Sequence, residues 1–372
     1  EKQLLSSLVK SPFVKDINNS KNNDDDDNNS NGSSLNYVEY IAKTSLDNKH
    51  ATKLPTVVMT HGFGSGLGFF FRNVDPLLQS GKIGRLILVD WIGMGGSHRL
   101  PCRDSPIRWT KGSFCNSMFT PSEAVDFFVD PLETFLKEKG IGGGSDDSNG
   151  EDPPFWLVGH SLGEYLAARY VLRHPHRSPS KLILASPVGF PPPPDDIISP
   201  SELPTTFRLL DTLWSANVTP QQLVRLMGAN RGRNAVSRAL RGRIPHLDSH
   251  DADLLADYLF HITVAPPSGE FAMNSLLEPI ISKGKSGNGG GGVFAREPLE
   301  DMGIVHELST SVKQVKILFG DHDWMRFNEP SARSVVQGLR RRGIRADVSV
   351  LSNAGHHLYL DNSDEFVSEI LT

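Results

Sequence analysis

Six short apolar runs, each closing on a turn before a polar or helix-forming stretch, restrict what this chain can fold into more than any other feature. Val57-Val58-Met59 enters a turn at His61, Leu86-Ile87-Leu88-Val89 ends at Asp90, Phe155-Trp156-Leu157-Val158 ends at Gly159 and Leu182-Ile183-Leu184-Ala185 ends at Ser186. Val315 to Phe319 and Val348 to Leu351 supply two more late in the chain. Runs this short, apolar throughout in the first four and nearly so in the last two, need cover on both faces, which is the condition of parallel strands in βα units. The expectation is an α/β chain with a mostly parallel sheet flanked by helices. Thr120-Pro121, followed by Val125, Phe128, Val129, Leu132, Phe135 and Leu136, predicts an N-capped amphipathic helix with proline at its first position.

The rhythm of strands stops at Val188 and resumes after about Glu297, and this divides the chain. Residues 1–34 are expected to be mostly disordered, because Asn18 to Ser34 is almost all Asn, Asp, Ser and Gly and has no apolar side chain to bury. Residues 35–187 read as the first part of a core and 297–372 as the second. Between them, 188–296 reads as a helical cap inserted between core strands, with Leu209, Leu210, Leu213 and Trp214 on one helix face. Within that cap the Gly, Ser, Lys and Asn composition of 283–292 predicts a flexible loop.

Gly159-His160-Ser161-Leu162-Gly163 lies after a buried strand and before a helical pattern, where a strand-to-helix elbow exposes a nucleophilic hydroxyl. Three fixed residues also arise by chance in a chain with 34 glycines; the strand and helix context is what favours Ser161 as nucleophile. His61-Gly62-Phe63-Gly64 follows an earlier strand, the place for a second oxyanion amide, so the backbone N–H groups of Phe63 and Leu162 are the expected donors. Late in the chain, Gly320-Asp321-His322-Asp323 and Gly355-His356-His357 each follow a strand. The order Ser, acid, His then gives Ser161, Asp323 and His356, with Asp321 an open alternative for the acid and His357 for the base. His61, His160 and His322 read as structural.

These motifs resemble the lipid-acting branch of the α/β hydrolases that holds the fungal mitochondrial cardiolipin-specific deacylase and the comparative-gene-identification-58-like lipid proteins. The resemblance runs from His61 to Asp361 outside the cap. It is carried by Gly68-Phe69-Phe70-Phe71-Arg72-Asn73, Asp90-Trp91-Ile92-Gly93-Met94-Gly95-Gly96-Ser97, Gly320-Asp321-His322-Asp323-Trp324-Met325 and His356-His357-Leu358-Tyr359-Leu360-Asp361. It implies the α/β-hydrolase fold and a serine hydrolase that cleaves a lipid acyl ester, cardiolipin among the substrates. The alternatives it carries are acyl transfer to a lysophospholipid and a non-catalytic regulator at a lipid surface. It further implies a mitochondrial location at the inner membrane, or else the cytoplasm or a lipid-droplet surface. The His356, Asp361 pair is the His-x4-Asp arrangement linked in that family to acyl transfer; Asp361 as a cap of the last helix is the plainer reading. Relatives that act without hydrolysis have Asn for the nucleophile, whereas this chain has Ser161; it departs from the family at Glu164, where a second glycine is usual.

Two other classes fit less well. Gly159 to Tyr165 is similar to the elbow of carrier-loading malonyl-transferases, which lack the early His-Gly-Phe-Gly loop and the late Gly-His. Gly93 to Ser97 resembles a dinucleotide fingerprint, but its third glycine position is His98, so no nucleotide cofactor is expected. Cys102 and Cys115 lack the paired spacing of a zinc site, no metal is expected, and a reducing compartment is. A chain opening at Glu1 without Met carries no reading of a targeting segment.

The net charge of −5 argues against nucleic acid as a partner. Charge in the cap has the opposite sign. Arg225, Arg231, Arg233, Arg238, Arg241 and Arg243 fall within nineteen residues free of Asp and Glu. A solvated helix face is one reading; peripheral docking on an anionic membrane, bringing a phospholipid or other acyl-lipid to Ser161, is the other.

Overall fold

The computed structural model describes residues 35–42, 54–99, 119–143, 153–282 and 290–372, with Leu5 and one N-terminal strand. Eight strands form one sheet: β1 (Val14–Asn18), β2 (Tyr37–Ile41), β3 (Thr56–Thr60), β4 (Arg85–Val89), β5 (Phe155–His160), β6 (Lys181–Ala185), β9 (Gln314–Gly320) and β10 (Arg345–Leu351). Their spatial order is β1-β2-β4-β3-β5-β6-β9-β10. From β4 to β10 all neighbours are parallel; β2 runs antiparallel to β4, and β1 to β2. The six apolar runs are the six parallel strands.

Alternation along each strand fills two cores. Val58, Leu157, Leu184 and Ile317 point to one face, Val57, Met59, Val158 and Leu318 to the other. The first face is covered by α2 (Pro121–Glu138) and α3 (Leu162–Arg173), the second by α1 (Phe71–Gln79) and the C-terminal helix α10 (Ser363–Leu371). Helix α2 starts as expected: Thr120 accepts from the Glu123 N–H at 3.3 Å, and the Glu123 carboxylate accepts from the Thr120 N–H at 2.8 Å. Because the parallel strands share a direction, the residues that follow β3, β5, β6, β9 and β10 all emerge at one edge.

Between β6 and β9 lie α4 (Thr205–Ser215), α5 (Pro220–Met227), α6 (Ala229–Arg243) and α7 (Ser249–Val264). Leu240 and Ile244 at the end of α6, with Leu255 and Ala256 of α7, join the second core, which seats these helices on the sheet edge. Helices α8 (Ile304–Ser311) and α9 (Glu329–Arg341) return the chain to β9 and β10.

One expectation is narrowed and two are corrected. Within residues 1–34, expected to be mostly disordered, β1 pairs with β2 and Leu5 is buried in the second core; the apolar residues of this stretch precede the polar tract that carries the expectation. The segment 19–34 lies outside the described residues. The glycine-rich loop ends earlier than expected, since β8 (Gly290–Ala295) pairs antiparallel with β7 (Leu277–Ser282); 283–289 lie outside the described residues. Ladder bonds need only backbone, and Gly292 packs where a Cβ would fall 2.7 Å from the Phe327 ring. The apolar face of α4 is not fully packed either, as Leu209 is 58% exposed.

Candidate active site

The turn between β5 and α3 shows why Gly-x-Ser-x-Gly is needed there. Ser161 adopts φ 53° and ψ −123°, a strained conformation for a residue with a side chain. Its N–H donates to the Ala185 carbonyl at 2.9 Å, so the strain is held by β6. A Cβ on Gly159 would come within 2.5 Å of the Glu164 Cα, and one on Gly163 within 2.4 Å of the His61 carbonyl oxygen. Only glycine lets the chain close this tightly.

From the ends of β9 and β10 two side chains converge on that hydroxyl. His356 Nε2 lies 3.1 Å from Ser161 Oγ, and His356 Nδ1 lies 3.0 Å from Asp323 Oδ1. Asp323 is buried and also accepts the Met325 N–H at 2.9 Å. Burial pushes its carboxyl up, but the hydrogen bond and charge of His356 outweigh burial and hold it below its ordinary value. Asp321 points elsewhere: it accepts the N–H groups of Ala354 and Asn353, both at 2.9 Å, and contacts His322 Nδ1 at 2.6 Å. Those backbone donors first, then His322, press its carboxyl down to about 2 against a smaller opposing effect of burial. His357 turns its Nδ1 to the Tyr359 hydroxyl at 3.0 Å, and burial holds the ring well below the ordinary histidine range.

Two groups read as structural or overlooked brace His356. His160 Nε2–H donates to the His356 carbonyl at 2.8 Å, which fixes its tautomer, and burial lowers its pKa to about 3, so the ring stays neutral. The Ser186 hydroxyl donates to the same carbonyl at 3.0 Å. Ser186 has no motif around it; its place at a strand end on the edge of Ser161 is the only signal the sequence holds.

On the other side of Ser161, a Cβ on Gly62 would lie 2.9 Å from the Ser161 Cβ, so the loop carrying Phe63 runs against the nucleophile. Leu162 is the first residue of α3, and its N–H has no acceptor within the helix. The loop is pinned by Asp90, which in the sequence is a strand end and the first residue of a motif, without a role of its own. Its carboxylate accepts Leu67 N–H at 2.7 Å, Gly96 N–H at 2.8 Å and Asn36 Nδ2 at 2.7 Å, with His61 Nε2 3.3 Å away. Burial raises the Asp90 carboxyl, but His61 and the backbone donors together bring it below its ordinary value.

Glu164 does not bring charge to the pocket. It is wholly buried, its Oε1 accepts the Val188 N–H at 2.6 Å, and burial raises its pKa well above the ordinary value. Asp361 does not cap the last helix; Asn362 does, accepting the Glu365 N–H at 3.2 Å. The Asp361 carboxylate instead accepts the Gly355 N–H at 2.9 Å.

The arginine cluster is divided by the structure. Arg225 must be withdrawn from it, because its guanidinium grips both oxygens of the buried Glu270 at 2.8 and 2.6 Å and donates to the Ala265 carbonyl at 3.0 Å. Glu270 lies 45 residues beyond Arg225, so the pairing escapes a reading confined to the nineteen residues. Arg233 pairs with Asp257 and Arg241 with Asp253, at exposed positions. Arg231, Arg238 and Arg243 are exposed and have no carboxylate partner among the described residues. On the preceding helix, Leu223, Leu226 and Met227 line one face of α5 that is open to solvent, Leu226 being 80% exposed.

Phe63 also lines two small cavities at the seam between core and cap, one against Met94, Arg99 and Gln221, the other against Trp214, Thr219 and Met273. They measure about 30 and 20 Å³, room for little more than a water molecule or two. Glu133, His174 and His176 offer ligand atoms within 4.8 Å of one another. They lie beyond the far end of α3 from Ser161, and Glu133 is already engaged by Tyr170 and Arg177 at 2.7 and 3.0 Å.

The sequence profile described as the alpha/beta hydrolase family matches residues 57–369. A 1-acylglycerol-3-phosphate O-acyltransferase of Arabidopsis thaliana is 30% identical, over 100% of this chain and 78% of its own length. A (lyso)-N-acylphosphatidylethanolamine lipase of Bos taurus is 28% identical, over 83% of this chain and 76% of its own. Among solved structures, a thermophilic esterase from Thermogutta terrifontis superposes with a TM-score of 0.54 at 16% identity, covering 90% of this chain and 91% of that one. That likeness shows the fold.

Proposed function

The chain belongs to the alpha/beta hydrolase family, and we propose that it moves the acyl group of a glycerophospholipid through Ser161, with water as the usual acceptor. The observation that carries this reading is the pair of contacts from His356, 3.1 Å to Ser161 Oγ and 3.0 Å to Asp323. As Oγ attacks the ester carbonyl, its proton passes to His356 Nε2, and Asp323 accepts from Nδ1–H and steadies the imidazolium. The carbonyl oxygen, now anionic, takes hydrogen bonds from the Leu162 and Phe63 amides. Collapse expels the lysolipid alkoxide, which receives the proton from His356. Water then attacks the acyl-serine, giving its proton to His356, and the free fatty acid leaves as Oγ recovers that proton.

The lipid part of the reading is supported by the relatives, whose names are those of enzymes acting on glycerophospholipids. A second reading, in which a lysophospholipid hydroxyl replaces water, is favoured by an acyltransferase relative that spans the whole chain. Both share every step up to the acyl-serine. Docking on an anionic membrane is supported by the open apolar face of α5 together with exposed Arg231, Arg238 and Arg243 on α6. The two cavities beside Phe63 are too small to hold an acyl chain.

The test uses acyl-labelled phospholipid vesicles, with cardiolipin and phosphatidate in the panel and lysophosphatidate as added acceptor. Free labelled fatty acid released by the wild type and lost in Ser161→Ala supports hydrolysis. Label appearing chiefly on the acceptor supports transfer, and product formation that persists in Ser161→Ala overturns both.

A further inference from the structure

His356 is anchored from two directions. Its own carbonyl is held by His160 and Ser186. The N–H of the preceding residue, Gly355, is held by Asp361 Oδ2 at 2.9 Å, which closes a ring of chain around His356. The far side of that ring is the helical turn Leu358–Asp361, whose Leu360 and Asp361 N–H groups donate to the His357 carbonyl at 2.7 and 3.0 Å. This turn is fixed to α1: Asn73 Nδ2 donates to the Tyr359 carbonyl and the Ser363 hydroxyl, both at 2.9 Å, and Arg72 reaches the Leu360 carbonyl at 3.3 Å. Asp361 therefore transmits the rigidity of α1 to the turn that carries the imidazole. Its carboxylate is committed to this backbone contact; Oδ1 is buried with no hydrogen-bond partner among the described residues.

We propose that Asp361 is a positioning residue that sets His356 Nε2 on Ser161 by holding the Gly355 N–H, and that the spacing between His356 and Asp361 serves this ring and not the binding of an acyl acceptor. The proposal rests on the assignment of His356 as base to Ser161. It has a direct consequence: hydrolysis and acyl transfer depend on Asp361 to the same degree, because both pass through the same imidazole. Misplacing a reacting group by an ångström costs about 100-fold in rate, and removing one of two anchors is expected to cost about 10- to 100-fold.

The experiment compares Asp361→Ala and Asp361→Asn in two assays, hydrolysis of a water-soluble p-nitrophenyl ester and transfer from phosphatidylcholine to lysophosphatidate. Asp361→Ala is expected to lower kcat in every assay the wild type supports, in parallel, with KM nearly unchanged. Asp361→Asn, whose amide oxygen still accepts from Gly355, is expected to stay within about threefold of wild type. Should Asp361→Ala fail to fold, Asp361→Glu, which keeps the charge but overshoots the Gly355 N–H, takes its place with the same parallel loss expected. Selective loss of transfer with ester hydrolysis intact would overturn the proposal, as would an Asp361→Ala enzyme with unchanged kcat. Failure of the underlying assignment is seen separately, as ester hydrolysis that survives His356→Ala.

Discussion

Replacing Glu164 by Gln should stabilise the protein by an amount that grows with pH. Glu164 is wholly buried beside the nucleophile, and burial raises its pKa well above the ordinary value. The native state keeps the proton where the unfolded chain, titrating near 4.3, has released it. Native protein thus binds one more proton than unfolded protein, and stability falls as pH rises, by about 1.4 kcal/mol per unit, from the unfolded value up to the folded one. Below the unfolded value the full contribution is present. With 372 residues at about 2.1 cal/mol/K each, the unfolding entropy is near 0.8 kcal/mol/K, so the slope amounts to roughly 2 °C of Tm per pH unit. Glutamine retains the oxygen that accepts from Val188 and has no proton to lose. Tm measured for both proteins from pH 4.5 to 8 at constant ionic strength should give a difference that widens by about 2 °C per unit above pH 4.5 and levels off once the folded value is passed. Ester hydrolysis should be nearly unchanged, because the carboxyl faces Val188 and not Ser161. Two curves that run parallel across this range would refute the reasoning, since they would mean that Glu164 ionises in the folded protein as it does in the unfolded chain.

Two further outcomes follow from the site and its frame. Asp323→Asn should lower kcat for a soluble ester by about 10⁴-fold, the cost of a lost orienting carboxylate, with Asp321→Asn far milder; steady-state kinetics giving the reverse order would exchange the two. Arg225→Ala strands Glu270 as a buried carboxylate without its guanidinium, a loss of about 3–5 kcal/mol that a urea titration would read, whereas Arg238→Ala on the exposed face should change stability by less than about 0.5 kcal/mol.

The parallel strands were legible because every residue in runs such as Leu182 to Ala185 is apolar, and a run buried on both faces announces itself without knowledge of its neighbours. Strand β2 was not, since Tyr37-Val38-Glu39-Tyr40-Ile41 is broken by a Glu39 whose partner, Arg85, stands 46 residues away at 2.7 Å. The elbow was legible for a local reason: its glycines answer to close contacts that the turn itself creates. The choice between Asp321 and Asp323 was not, because two carboxylates two residues apart after one strand differ only in which way the turn points them. Asp90, Ser186 and Glu164 act through partners on other strands and loops, so that even where a motif includes Asp90 or Glu164 their own neighbourhood does not tell what they hold. The same holds for the cap, where like charges adjacent in sequence were read as one surface although Arg225 faces inward to Glu270.

If Ser161 carries the acyl group during turnover, the covalent intermediate can be trapped on it. Wild-type protein treated with a fluorophosphonate, and separately quenched in acid during turnover of an acyl-labelled phospholipid, would be digested and its modified peptide mapped by mass spectrometry. Both adducts are expected on Ser161, absent from Ser161→Ala and strongly slowed in His356→Ala. An adduct on another residue, or equal labelling of wild type and Ser161→Ala, would contradict that assignment.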